Sequence, residues 1–513
     1  MTAMNTRPAT VGEKAAHLHA EDANTGRLSG NMSTTSLVLS VLAFSGPIVT
    51  VAGYIAFAIG FMGEGAPMAW IVATAVLLLF AVGYTTMTRH VPRPGAFYAY
   101  ISLGLSKVVG VGAAYLATLS YTLLACGMYV FAGATLSTLA GMLGVGGVPW
   151  WAGTLGAWLL VTGLAHFNIE LSAKVLGIVM VLEVALVILF NVFVLGKGGA
   201  QGISLTPYNP TMFLTAGTGM ALLFAFSNFI GFEATALYRD EVRNPDKTVP
   251  RATYLAVIFI GAFYSISAFS LITAFGPGAA EIAASEAAGG MFNTALDQYV
   301  LPNFSFVSLI VVATSAIAGL LSVHNVTARY LLNLGCDRVL PSYLGAVHPR
   351  HGSPYKASLT AGLLMAALIA PFAITQTDPT LLVAGGSGIG TAGVLILMTL
   401  VSLAVIVWFA RNRGRGEGAW RTVIAPALSL VGIGSVVTFA VVRFDLLVGG
   451  APGQNAWMLF VVLGVLLAGA GIALYYRLAR PALYARLGRA DADDPESLAV
   501  MGPADDRPAM ISA

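Results

Sequence analysis

The chain contains 513 residues, of which 57% are hydrophobic and only 10% are charged. A typical globular domain carries about 25% charged residues, so this composition excludes a soluble enzyme, a nucleic-acid-binding protein and a disordered scaffold. It indicates an all-helical protein that lies in a lipid bilayer. The net charge of +3 is too small to indicate an anionic partner, and the two cysteines cannot build a disulfide framework.

Twelve apolar segments are long enough to cross a bilayer, whose hydrocarbon core of about 30 Å requires about 20 helical residues. We predict spans at 36–62, 67–88, 109–139, 150–167, 172–196, 212–237, 252–275, 304–330, 357–374, 380–410, 422–442 and 455–478. Residues 36–210 contain the first five spans, 211–410 the next five and 411–480 the last two, between tails at 1–35 and 481–513. The connections are too short for a separate soluble domain.

The positive charges predict the orientation of the spans. Of the 26 Lys and Arg residues, all but Lys197 and Arg443 fall in the tails and in the loops on the N-terminal side of this topology. Loops that face the cytoplasm carry the excess of Lys and Arg. We therefore expect both tails to be cytoplasmic and the protein to lie in the cytoplasmic, or inner, membrane.

Glu183 and Glu233 are unusual because they fall deep inside predicted spans. The other acidic residues lie in tails, loops or the ends of spans. A charged residue at the bilayer centre costs about 2.5–3.5 kcal/mol on insertion scales, so we expect both carboxylates to face a cavity or a transport pathway. The alternative is a protonated, hydrogen-bonded glutamic acid that only packs in the core.

The first and sixth spans contain residues that interrupt a helix. Gly46-Pro47 falls within the first, and proline lacks an N–H group and clashes with the preceding turn. Ser227, Asn228 and Gly231 fall within the sixth, and such irregular backbone survives at membrane depth only where it lines a cavity or contacts protein. Breaks five spans apart are expected of two inverted five-helix repeats that meet at a midplane site, whereas either break alone is compatible with an ordinary kink.

Several motifs together resemble the amino acid–polyamine–organocation permeases. They are the Pro-Gly-Ala-Phe-Tyr sequence within 90–100, the segment 168–174 at the start of span five, Gly-Phe-Glu at 231–233, the acidic pair, Asn-Pro and Pro-Arg-Ala motifs of 240–252, and the charged, proline-containing stretch 328–354. Each motif is short, but their order along 36–480 is similar to that of the family. The resemblance implies a LeuT-like fold, in which a 5+5 inverted repeat with broken helices 1 and 6 is followed by two C-terminal helices.

The same resemblance implies a transporter for an amino acid or a related small amine. Unwound backbone at the two breaks offers N–H groups for a carboxylate and carbonyl groups for an ammonium. We expect Ser45, Gly46 and the amide of Ile48 to bind the carboxylate. The full set of predicted substrate-binding residues, which adds carbonyls for the ammonium and aromatic walls, is Ala43, Phe44, Ser45, Gly46, Ile48, Phe226, Ser227, Phe229 and Gly231.

Three residues are predicted to gate or couple transport. Glu233 is similar to a glutamate that the family carries in span six, and Phe232 would wall or gate the pocket. Glu183 departs from relatives that carry a lysine in span five, so it would carry a proton or help to bind a cation. A candidate cation site consists of the hydroxyls of Thr314, Ser315 and Ser322. We predict proton coupling, with sodium coupling or uncoupled exchange as alternatives.

Two loops and two histidines complete the set of candidates. The cytoplasmic loops 239–251 and 329–350 combine arginine with acidic residues, which act either as salt-bridge latches of a closed state or as solvated charge. His166 and His324 have no second His or Cys at ligand spacing, so we predict no metal site and no cofactor. Catalytic and phosphate-binding motifs are absent from the sequence, so we predict no enzymatic activity. A transporter-like nutrient sensor, which binds a solute without moving it, is the alternative from a different functional class.

Overall fold

The structure, a computed structural model, describes residues 32–91, 96–167, 169–348, 352–412, 416–448 and 453–487. Throughout these residues the secondary structure is helical and contains no β-strand. The helices are α1 (Thr34–Ser45), α2 (Pro47–Val49), α3 (Ile55–Met62), α4 (Ala66–Thr88), α5 (Ala96–Gly104), α6 (Lys107–Met142), α7 (Trp150–Phe167), α8 (Ile169–Lys197), α9 (Thr218–Ser227), α10 (Pro245–Phe275), α11 (Ala279–Tyr299), α12 (Ser305–Cys336), α13 (Tyr355–Ile374), α14 (Pro379–Arg411), α15 (Ala425–Val442), α16 (Phe444–Val448), α17 (Trp457–Ala479) and α18 (Pro481–Arg486). The prediction of an all-helical protein is confirmed.

Ten helical stretches in the described part of the chain are long and apolar enough, by length and composition, to cross a membrane. The first of them, Thr34–Thr88, includes a 3₁₀ turn at Gly63–Gly65 that separates α3 from α4. α7 is apolar but shorter than these ten. The chain is therefore a multi-pass membrane protein, as its composition predicts.

Two helices fall where only loops are predicted. α5 follows the second span and buries Phe97 and Tyr100. α11 is rich in alanine, carries Glu281 in its first turn and buries Phe292 and Leu296. A search for apolar segments of bilayer length finds neither helix, because α5 has only nine residues and α11 is too polar to be recognised as a span.

The first predicted span is interrupted at Gly46-Pro47. α1 ends at Ser45 because Gly46 adopts a left-handed φ of 52°, and the Gly46 N–H donates to the carbonyl of Ala43 at 3.3 Å. Pro47 then begins the next segment, in the first-turn position where the missing N–H of proline is tolerated. Helical structure continues from α2 through a π-helical turn, Thr50–Tyr54, into α3, so one continuous helical segment covers 47–62.

The sixth predicted span is interrupted between α9 and a 3₁₀ turn at Phe232–Ala236. Gly231 lies between them with a φ of 114°, a backbone conformation that residues with a Cβ rarely adopt. A Cβ added at Gly231 would lie 2.6 Å from Cγ of Phe44, at the end of α1. The two breaks therefore contact each other, and glycine is required for that contact.

Candidate functional site

Hydrogen bonds join the two helix breaks. The hydroxyl of Ser45 donates to the carbonyl of Asn228 at 2.8 Å. The hydroxyl of Thr50 lies 3.0 Å from the carbonyl of Ser45 and 3.2 Å from Oδ1 of Asn228, so its one proton is shared between two acceptors. The hydroxyl of Tyr264 on α10 also donates to the carbonyl of Ser45, at 3.3 Å. The polar groups that the two helix breaks expose therefore form hydrogen bonds with one another. We call this contact between the two breaks the junction.

Asn228 contributes one group that this network leaves unused. The side chain of Asn228 is buried, and Nδ2 has no hydrogen-bond partner among the described residues. The hydroxyl of Thr50 donates to Oδ1, so Nδ2 is the remaining donor of this side chain. A buried amide donor without a partner is costly and is available to a solute that enters the junction.

Glu183 of α8 lies at the start of the continuous helical segment 47–62. Its side chain is fully buried, and Oε2 accepts hydrogen bonds from the hydroxyl of Ser315 at 2.7 Å and from the amide of Ile48 at 3.4 Å. Oε1 has no hydrogen-bond partner among the described residues. The N-terminus of a helix stabilises negative charge, so the carboxylate is placed where the helix favours it.

The N–H groups that were expected to bind a solute carboxylate have other partners. The amide of Ile48 contacts Glu183, and the amide of Gly46 donates to the carbonyl of Ala43. Pro47, which lies between them, has no N–H to offer. The predicted residues are therefore close together, but their donors are already used by the protein.

Glu233 follows the sixth-span break in the chain and belongs to a cluster separate from that of Glu183. Both of its carboxylate oxygens accept from the amide of Gly231, at 2.9 and 3.1 Å, and Oε1 also accepts from the hydroxyl of Tyr121 on α6. The hydroxyl of Tyr84 on α4 donates to the backbone carbonyl of Glu233 at 2.5 Å. Glu233 therefore holds the irregular backbone of the break and connects it to two other helices.

The predicted aromatic residues are buried around the two breaks. Phe226, Phe229 and Phe232 are each at most 2% exposed. The ring of Phe44 packs edge-on against Tyr121, with ring centroids 6.1 Å apart. Ser227, in contrast, donates its hydroxyl to the carbonyl of Phe224 within its own helix, at 2.7 Å.

A second aromatic cluster was missed by the sequence prediction. Phe224 of α9 stacks against Phe57 and Phe61 of α3, each with ring centroids 5.9 Å apart, and it meets Tyr54 edge-on at 6.2 Å. The side chains of Phe57 and Phe61 are partly exposed. Aromatic residues are common throughout this chain, so no sequence signal distinguishes these four from the others.

The three predicted cation-site hydroxyls of α12 are not in one place. Ser315 contacts Glu183, whereas Ser322 donates to the carbonyl of Ser40 on α1 at 2.9 Å. Thr314 is exposed, and its hydroxyl donates to the carbonyl of Val311 in its own helix. Thr314 and Ser315 lie on different faces of α12, because a helix turns by about 100° per residue and directs neighbouring side chains to different faces.

A buried ion pair joins the two segments whose charges we interpret either as salt-bridge latches or as solvated charge. Arg329 of α12 donates from Nε and Nη2 to the two carboxylate oxygens of Glu241, at 2.7 and 2.8 Å. The guanidinium group also lies over the ring of Tyr238, 4.3 Å from the centroid. The amide of Met32 donates to the carbonyl of Glu241 at 2.9 Å, so the start of the described chain contacts the same turn.

The remaining predicted residues lie apart from the junction or outside the described side chains. His324 is buried on α12, where Nε2 lies 2.9 Å from the hydroxyl of Ser358. Within the described part of the chain, no group of three or more His, Cys, Asp or Glu residues could hold a metal ion. The side chains of His166 and of 168–174, and the residues 92–95 and 349–351 of the loop motifs, lie outside the described residues.

Comparisons with known proteins show which proteins this chain is similar to. A family model described as an amino acid permease matches residues 30–469. An uncharacterised transporter of Mycobacterium tuberculosis is 28% identical over 401 residues, which cover 76% of this chain and 81% of that protein. A branched-chain amino acid permease of Bacillus subtilis is 24% identical over 371 residues, 67% of this chain and 74% of the relative. A low-affinity putrescine importer of Escherichia coli is 24% identical over 418 residues, 77% of this chain and 86% of the relative.

Proposed function

The chain belongs to the amino acid permease family, and from that premise we propose that it is a secondary active transporter that moves an amino acid or a related small amine across the cytoplasmic membrane. The observation that carries the proposal is the buried junction of two interrupted helices. Transporters commonly bind their solute near the midplane where discontinuous helices meet. Here the junction holds an amide donor of Asn228 and a carboxylate oxygen of Glu183, neither of which has a hydrogen-bond partner in the described part of the chain.

We propose a LeuT-like arrangement of twelve spans for this chain. Residues 36–210 and 211–410 would form two inverted five-helix repeats, 411–480 would add two spans, and the tails 1–35 and 481–513 would be cytoplasmic. The breaks at Gly46 and Gly231 support this arrangement, because they fall in the first span of each half. The distribution of Lys and Arg supports the orientation.

Transport in this proposal follows alternating access. A solute would enter between the breaks, and one group of helices would then rock against the other around the site. The carbonyls near Ala43, Phe44 and Phe226 and the carboxylate of Glu183 would bind the ammonium group of the solute. The buried ion pair between Glu241 and Arg329 would close the cytoplasmic side while the solute enters from the opposite side.

We further propose that transport is coupled to protons. Glu183 and Glu233 are fully buried acids that contact the two breaks, and proton relays in transporters use intramembrane carboxylates. A sodium-coupled symporter would instead bind its ion near Glu183 and Ser315, which contact each other. An exchanger would need no coupling ion, and a solute sensor would bind without flux.

Uptake into liposomes that contain the purified protein tests the proposal. The solutes are the standard amino acids, common polyamines and ethanolamine, and either a pH gradient or a sodium gradient is imposed. We expect uptake that follows the pH gradient and requires the protein. Uptake driven only by sodium would contradict proton coupling, counterflow without either gradient would indicate exchange, and stabilisation of the protein by a solute without any flux would indicate a sensor.

A further inference from the structure

The start of the helical segment 47–62 already holds a carboxylate. Glu183 Oε2 accepts from the amide of Ile48 and from Ser315, Pro47 offers no N–H, and the amide of Gly46 is bonded to Ala43. The amides of Gly46 and Ile48 are the donors that we predict for a solute carboxylate at this break. Glu183, which accepts from the Ile48 amide, is itself completely buried.

A second carboxylate at this position would meet two obstacles. It would find the Ile48 amide occupied, and its negative charge would lie beside that of Glu183, where burial weakens the screening of like charges. Among the side chains of the described residues, Asn228 Nδ2 is a donor at the junction without a partner, but a single neutral amide does not compensate a full negative charge. The junction therefore disfavours an anionic group on the solute.

A positive group, in contrast, finds a suitable partner. Glu183 Oε1 is buried and has no hydrogen-bond partner among the described residues, so an ammonium group would satisfy it and offset its charge. Asn228 Nδ2 would remain available to a neutral acceptor such as a hydroxyl or a second, uncharged amine. The polar groups left open at the junction thus match an amine better than a zwitterion.

We propose that Glu183 is a resident carboxylate that takes the place of the solute carboxylate, so that the transported solute is a primary amine without a carboxylate, either a monoamine or a polyamine. This inference rests on the proposed transport function and specifies its substrate class. Glu183 acts in it as a specificity-determining residue, through its contacts with Ile48 and Ser315 and through Oε1, which faces the solute.

Pairs of solutes that differ only by the α-carboxylate test the inference. Putrescine is compared with ornithine, cadaverine with lysine, isoamylamine with leucine and ethanolamine with serine, in liposome uptake and in thermal stabilisation of the full-length protein. We expect at least one amine to be taken up at least about tenfold faster than its amino acid, a ratio that corresponds to ~1.4 kcal/mol. A ratio below about tenfold in every pair that shows uptake would overturn the inference but leave the transport function intact. Absence of uptake for every solute would instead contradict the transport function.

Two variants link the preference to Glu183. Glu183→Ala vacates the Ile48 amide, so the ratio of amine to amino acid binding should fall by at least about tenfold. Glu183→Gln keeps an acceptor for the Ile48 amide but removes the negative charge. This variant should also lower the ratio of amine to amino acid binding, and it replaces the alanine variant if that protein does not fold. Thr438→Val is the control, because Thr438 is exposed on α15 and donates its hydroxyl to the carbonyl of Gly434 in its own helix, so this variant should leave the ratio unchanged. An unchanged ratio in both Glu183 variants would overturn the role of Glu183.

Discussion

Glu183 and Glu233 are both completely buried, but their carboxylates perform different structural tasks. Glu183 Oε2 joins α8 to α12 and to the start of α2, and Oε1 is left without a partner in the described structure. Glu233 uses both oxygens on the amide of Gly231 and receives the hydroxyl of Tyr121. Glu183 therefore has an oxygen that can bind a ligand or a proton. Glu233 stabilises an irregular turn, whose conformation must change if the sixth span moves.

Substitution of Glu233 should therefore impair transport more than folding. In Glu233→Gln, the amide oxygen can still accept from Gly231, but the negative charge and one acceptor are lost. We expect net uptake near background while expression, membrane insertion and the melting temperature stay close to those of the wild type. Normal uptake by this variant would remove Glu233 from the mechanism.

The neighbouring residues Ser315 and Thr314 provide a matched comparison. Ser315→Ala removes the shorter of the two hydrogen bonds to Glu183, which should cost about 1–3 kcal/mol of stability because the buried carboxylate oxygen keeps only the longer bond from Ile48. Thr314→Val removes only a hydroxyl that bonds to its own helix, so the change should stay within about 0.5 kcal/mol. Thermal unfolding of the two variants measures the difference, and equal melting temperatures would contradict the contact with Glu183.

The sequence predicts which residues at this scale are unusual, but not what they contact. A carboxylate in the middle of an apolar span is visible from hydropathy alone, so Glu183 and Glu233 were found. The contact between Glu183 and Ile48 joins residues 135 positions apart and depends on how α8 is rotated against α2. A single sequence contains no measure of that rotation, which is also why Ser315 and Thr314 could not be separated.

At the scale of helices, the two breaks have local causes and were predicted correctly. Gly46-Pro47 ends one helix and begins another, and Gly231 adopts a φ of 114° after the end of α9. Glycine and proline act through their own backbone, so their effect is visible without knowledge of the fold. α5 and α11 were not predicted, because one is short and the other too polar for a search based on bilayer length.

The contact between the breaks depends on the absence of a side chain at Gly231. Gly231→Ala would place a Cβ 2.6 Å from Cγ of Phe44 and force a non-glycine residue into positive φ. We expect a loss of about 2 kcal/mol or more in unfolding free energy, together with loss of uptake. Gly434→Ala is the control, since this helical glycine of α15 has no neighbouring atom within 4 Å of an added Cβ. A wild-type melting temperature for Gly231→Ala would show that the breaks do not pack as described.

At the scale of the whole molecule, the segment after α9 is bound to the end of α12 by the pair Glu241–Arg329. Both side chains are 2% exposed, and the contact is bidentate. The end of α12 is also bound to α5, because the hydroxyl of Tyr98 on α5 donates to Asp337 at 2.7 Å. On the proposed topology these contacts lie on the cytoplasmic side, where they would separate the junction from the cytoplasm.

Breaking one half of this ion pair should destabilise that conformation. Arg329→Met or Glu241→Gln leaves a buried charge without its partner, which typically costs about 3–5 kcal/mol, and the double variant should lose less than the sum of the two. Removal of the exposed contact between Arg421 and Glu417 by Arg421→Met should cost at most about 1 kcal/mol. Thermal unfolding checks the order, and additive losses in the double variant would show that the two residues do not act as a pair.

The same ion pair also affects how the protein is made. Glu241 and Arg329 are separated by 88 positions along the chain. At a synthesis rate of about 5–20 residues per second, the ribosome needs roughly 4–18 s to deliver Arg329 after Glu241 has been synthesised. During that interval the turn that carries Glu241 cannot bind Arg329, while α10 and α11 are still being synthesised. Stalled nascent chains that end before and after Arg329 should therefore differ in protease resistance at this turn, and the step would mark the moment at which the two segments join.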